Sequence, residues 1–143
     1  MIPPEPTMNR INDPLEAREV ETWVWQFDAL GNRAKVPVKF LMRAPRTYWR
    51  ATPAELEMHC NGAGPKGAGW AVPDTIYGLC VTPPANVHDW MYTFWLSRRE
   101  ADDLFLENMQ SAIRACGGFM KPVRFARAWM YYQAVHLGGA AFK

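Results

Sequence analysis

The chain has 143 residues, 49% hydrophobic and 21% charged, a composition that fills one globular domain and leaves no room for two ordinary ones. Sixteen basic against fourteen acidic residues leave a formal net charge of +2, which excludes a polybasic tail or anchor of the histone kind. No apolar run approaches the roughly 18 residues of a spanning helix, and MIPPEPTMNR lacks the basic start and apolar stretch of a signal peptide; a soluble, cytosolic protein is expected. Cys60, Cys80 and Cys116 are odd in number and widely spaced, so stability is expected from packing rather than from disulfides.

In chain order, residues 1–14 carry Pro3, Pro4, Pro6 and Pro14 and read as an extended arm ahead of a single domain over 15–143. Residues 20–42 alternate Val20, Thr22, Val24 and Gln26 with Trp23, Trp25 and Phe27 around a Gly31-Asn32 turn signal, the pattern of a β-hairpin. Pro37 confines the second strand to a sheet edge or to the strand's beginning. From Arg33 to Arg50 six cations and no acid are interleaved with Phe40, Tyr48 and Trp49. Lys39, Arg43, Arg46 and Arg50 are thus candidates for an interface with phosphates or lipid headgroups; the competing reading is a solvated strand edge whose charges discourage pairing.

Residues 59–81 form a Gly- and Pro-rich loop, long enough to be functional or disordered, and Trp70, Val72, Ile76, Tyr77, Leu79 and Val81 favour order. Thr82 followed by Pro83 starts a helix over about 83–95. Ser97 and Glu100 make a capping-box pattern for a second helix over 98–115, with Ala101, Leu104, Phe105, Asn108 and Ala112 on one face and Gly117-Gly118 as its stop. A third helix over 122–137 carries Phe125, Trp129, Tyr132 and His136 at helical spacing and is expected to bury them, ending at Gly138-Gly139. His136 reads as a core histidine and Cys116 as a small buried hydrophobe. The expected fold class is α+β, mainly α: a hairpin, a long loop and about three helices.

The strongest chemical signal is Val-His-Asp-Trp-Met-Tyr, 87–92, on a helix just after the Gly-rich loop. Adjacent His88 and Asp89 point about 100° apart on a helix and must serve different partners. A base acting on water and a carboxylate turned toward a hard metal ion would use that divergence, because glycines such as those in Asn61-Gly62-Ala63-Gly64 can aim backbone carbonyls at an ion needing six to eight oxygens. A zinc site from His59, Cys60, Cys80 and His88 and a Cys–His nucleophile pair can also be written, without a matching ligand spacing. The Gly-rich stretch lacks the Gly-Lys-Ser/Thr ending of a phosphate-binding loop.

Cys-Asn-Gly-Ala-Gly-Pro (60–65), Pro73-Asp74, Gly78-Leu-Cys80 and His-Asp-x-x-Tyr (88–92) resemble the calcium loop and catalytic helix of the phospholipase A2 superfamily. Arg99-Glu-Ala-Asp-Asp-Leu-Phe (99–105) is similar to the Ala-Asp helix of its short, disulfide-free viral members. The same motif pair, with a preceding hairpin and a trailing Gly-Gly helix, resembles a phage and prophage family of unassigned function over about residues 20–142. The resemblance implies a phospholipase-A2-like arrangement of the helices. It also implies His88 as general base, Asp89 with carbonyls of Cys60, Gly62 and Gly64 around calcium, Asp102 orienting His88, and Tyr92 supporting that acid; Asp103 competes with Asp102. The function so implied is calcium-dependent hydrolysis of a (phospho)lipid ester by a phage-encoded enzyme acting at a membrane surface. The alternative is a non-catalytic virion component, of tail, baseplate or head completion, that keeps the fold, binds other phage structural proteins, and uses His88 and Asp102 as a buried polar clamp. The expected location is the host cytoplasm or the phage particle, with no nucleic-acid partner.

Overall fold

The computed structural model describes residues 13–60, 75–94 and 97–141. Most of the expected N-terminal arm, with Gly62 and Gly64 of the loop, lies outside the described residues. Strand β1 (Leu15–Phe27) pairs antiparallel with β2 (Arg33–Pro45) from Leu15↔Pro45 to Phe27↔Arg33, so the hairpin is longer at both ends than 20–42. Its turn is fixed by the Asp28 carboxylate, which accepts from the backbone N–H groups of Leu30 and Asn32, and by Gly31 at φ 81°. Val24 on β1, with Val38, Phe40, Met42 and Ala44 on β2, faces the core at strand periodicity. Pro37 lies within β2, an edge strand, where its missing N–H leaves no gap in the ladder.

Beyond β2 come α1 (Arg46–Arg50) and α2 (Pro53–His59), then β3 (Thr75–Ile76) and β4 (Leu79–Cys80), then α3 (Thr82–Phe94), α4 (Arg98–Cys116) and α5 (Lys121–Ala141). β3 and β4 flank a tight turn at Tyr77-Gly78 and add to the hairpin through Val24↔Leu79, giving an antiparallel sheet of order β2-β1-β4-β3. This corrects the expectation of a mainly α chain, a hairpin and a long loop followed by about three helices in a phospholipase-A2-like arrangement: the described residues form a four-stranded sheet and five helices. Two-residue strands inside a Gly- and Pro-rich stretch have too few positions for alternation to register. Sequence reading therefore left the sheet at two strands.

The sheet's apolar face packs on α4, which buries Ala101, Leu104, Phe105, Met109, Ala112 and Ile113. Asn108 locks the two layers together: its Oδ1 accepts from Arg43 N–H at 2.9 Å and its Nδ2 donates to Arg43 C=O at 2.8 Å, so an edge-strand peptide is satisfied by a side chain. α5 runs past Gly138-Gly139 to Ala141 and buries Arg124, Ala128, Tyr131 and Val135 rather than the stripe one position along. Trp129, expected inside, is 53% exposed. Apolar residues encircle most of this helix, so the 3.6-residue period alone cannot choose the buried face.

Candidate functional site

α3 and α4 pack side by side in sequence order and bring His88 and Asp102 together across their interface. The α4 start is set by Ser97, whose hydroxyl accepts from Glu100 N–H, and the first turn after that cap places Asp102 inward. Asp102 is fully buried (0% exposed) and His88 nearly so (5%). The imidazole Nε2 lies 2.7 Å from Asp102 Oδ1, and the Tyr92 hydroxyl donates to the same oxygen, also at 2.7 Å. His88 and Tyr92 stand one turn apart on α3, their rings 4.2 Å between centroids, while Phe105 covers the other side at 4.9 Å.

Burial pushes the Asp102 carboxyl up, but the hydrogen bonds from His88 and Tyr92, the charge interaction with His88 and a further bond from His136 outweigh it and hold the group below its ordinary value. The carboxylate is therefore ionised at neutral pH and can only accept. His88 must then carry its proton on Nε2, which leaves Nδ1 as the nitrogen free to take one. Burial first, and then the bond to Asp102, push the Tyr92 hydroxyl well above its ordinary range, so it stays a donor.

Asp103, one residue on, accepts instead from Tyr132 on the exposed side of the helix at 2.8 Å. His136 is not the enclosed core histidine expected: its side chain is 38% exposed, and its Nδ1 stands 3.1 Å from Asp102 Oδ2. The i, i+4 spacing of Tyr132 and His136, two polar rings that stack in the structure at 5.7 Å, was the available signal for a polar face there.

No protein-family model, curated protein or solved structure matches the chain.

Asp89 points away from this cluster and is half-buried. Burial, and then the nearby Asp89 charge, push the Cys60 thiol up to about 12, so it is protonated at neutral pH; it donates to the Asn86 carbonyl at 3.2 Å. As a protonated thiol Cys60 is a poor nucleophile at neutral pH. Cys80 is buried with its carbonyl taken by Thr22, and the His59 ring packs against Phe94 and Trp90. Among the described residues no group of three or more His, Cys, Asp or Glu side chains could hold a metal, which removes the zinc reading from them. A calcium site made of one carboxylate and loop carbonyls needs no such group. Of the implied calcium donors, Asp89 and Cys60 lie near one another, and Gly62 and Gly64 lie outside the described residues.

Two of the six cations of the basic tract, Arg43 and Arg46, are ion-paired. Arg43 Nη1 donates to both Glu107 carboxylate oxygens at 2.9 and 3.0 Å, and Arg46 Nε donates to Glu16 at 2.7 Å. Lys39 lies opposite Glu21 in the ladder, and Arg50 ends α1 exposed to solvent. Arg33 and Lys35 sit over the Trp25 and Trp23 rings at 4.4 and 4.2 Å. Among the described residues no helix is long and apolar enough to cross a membrane.

Proposed function

We propose that the chain is a phage-encoded, phospholipase-A2-like hydrolase of a phospholipid ester, with His88 as general base. The observation that carries this reading is the 2.7 Å bond from His88 Nε2 to a fully buried Asp102 that Tyr92 also engages. An imidazole held by a carboxylate through one nitrogen presents the other as a base of fixed direction. Nδ1 takes a proton from water as its oxygen adds to the ester carbonyl. The imidazolium then returns the proton to the departing alkoxide, so the base is restored with each turnover. Asp102 stays ionised throughout and supports the charged imidazole. Calcium held by Asp89 and carbonyls of Cys60, Gly62 and Gly64 would supply a Lewis acid for the carbonyl oxygen.

The test is fatty-acid release from vesicles of phosphatidylcholine and phosphatidylglycerol, with calcium or with chelator. Wild type should release ester only with calcium, and Asp89→Asn should lower the rate by about 10²-fold or more, the scale of losing a charge-stabilising contact. Release that ignores both chelator and Asp89 would remove the metal from the reading. A second reading, the non-catalytic virion component bound to other phage proteins, draws on the near-complete burial of His88 and Asp102 and the three donors on one carboxylate. It expects no release under any condition.

A further inference from the structure

The carboxylate that holds His88 is gripped from a third helix. His136, from α5, sits on Oδ2 at 3.1 Å, while His88 and Tyr92, both from α3, share Oδ1 at 2.7 Å each. Because an ionised carboxylate only accepts, the His136 proton is on Nδ1, and its Nε2 is left as the second ring nitrogen on a side chain 38% exposed. The terminal torsion of an aspartate is broad and roughly two-fold, so donors on Oδ1 alone allow the group to rock about that bond. A donor on Oδ2 from a different helix removes that freedom. It also satisfies an oxygen that burial would otherwise leave with no described donor.

We infer that His136 is a positioning residue for His88: by fixing the plane of Asp102 it keeps Oδ1 aimed at His88 Nε2 and so holds the imidazole in one orientation. Without it, Oδ2 draws on the donors that serve Oδ1, and the His88 imidazole is no longer held in one direction. The inference rests on the hydrolase reading for its kinetic consequence, while its structural consequence stands without it. α5 thereby becomes part of the site although none of its residues touches the reacting atoms.

The experiment compares wild type, His136→Leu and His136→Asn by two readouts. Asn places an amide donor near the position of the imidazole Nδ1, whereas Leu places none. In nitrogen-15 histidine spectra, His88 should give one sharp signal of an ordered Nε2–H form in wild type and in His136→Asn, and lose that ordered form to broadened or split signals in His136→Leu. In the vesicle assay His136→Leu should lower kcat about 10- to 100-fold at unchanged KM, the scale of one hydrogen bond to a charged group, and Asn should restore most of it. Circular dichroism establishes that each variant is folded; if Leu unfolds, retention of the ordered Nε2–H form in Asn together with its loss in His136→Gln, whose donor sits one bond further out, is the expected result. An unchanged His88 form in folded variants lacking the donor, or an Asn variant that restores neither readout, overturns the proposal. Absence of ester release by wild type would instead count against the hydrolase reading, and the spectra would still decide the role of His136.

Discussion

At the residue scale the structure turns on Asp102, a carboxylate with no solvent contact and three donors. Replacing it by Asp102→Ala removes the acceptor that the buried His88 imidazole and the Tyr92 hydroxyl share, a loss of about 1–3 kcal/mol by denaturant unfolding. Its pKa is held below the ordinary 3.8, so the stabilisation it gives is complete above that value and is lost as pH falls through the lower value of the folded state. Tyr92 behaves in the opposite sense. Its pKa is raised above the ordinary 10.0, so its stabilisation is complete below pH 10 and is lost as pH rises beyond it. Unfolding curves of wild type and Tyr92→Phe should show a larger alkaline loss in wild type than in the variant, where Tyr48 and Cys60, also raised, still contribute; equal alkaline loss in both would contradict the assignment. The sequence made His88, Asp102 and Tyr92 legible as types at helical spacing. It could not separate Asp102 from Asp103, since both stand in the first turns of α4 and only the packing of α3 selects the inward one. His136 was placed in the core because its helical spacing with Phe125 and Trp129 outweighed its i, i+4 spacing with Tyr132, the signal of a polar face.

At the element scale the long loop hides an ordered hairpin. Tyr77 at φ 46° and Gly78 at φ 85° make the turn between β3 and β4, and a Cβ on Gly78 would stand 3.3 Å from the Trp25 Cβ. Arg124 of α5 is buried against that turn and donates to the carbonyls of Ile76 and Tyr77 at 3.2 and 2.8 Å, so the turn ties sheet to helix. Gly78→Ala should therefore destabilise by about 1–3 kcal/mol, from the left-handed backbone and the close approach together, measured by thermal unfolding. A change of under about 0.5 kcal/mol would place the turn outside the cooperative fold. The start of α4 was readable from Ser97 and Glu100 because capping is local chemistry. The same logic applies to Thr52-Pro53-Ala54-Glu55, which forms a complete capping box at the start of α2, yet a seven-residue helix gives no apolar period to draw attention to it.

At the scale of the whole molecule, sheet and helices form one layered unit in which the hairpin face covers α4, and α3 and α5 grip α4 from other sides. The hairpin was legible from two long alternating runs. The four-stranded sheet was not, because β4 joins it through a single pairing at Val24↔Leu79 that has no local signature. The basic run over β2 and α1 illustrates the same limit. Six cations without an acid between them look like a phosphate surface, but Glu16 and Glu107, distant in sequence, neutralise Arg46 and Arg43. Folding thus pairs two of those six cations, leaves the other four exposed, and creates a polar centre where the sequence showed separate residues.

The central claim is that His88 acts as a base, and the most direct measurement is the rate of phospholipid ester release by His88→Gln beside wild type. Glutamine keeps an amide donor for Asp102 but has no nitrogen that takes a proton, so the fold should persist while the rate falls about 10²- to 10⁴-fold. A folded His88→Gln that releases ester at the wild-type rate, or a wild type that releases none in the presence of calcium, would contradict it.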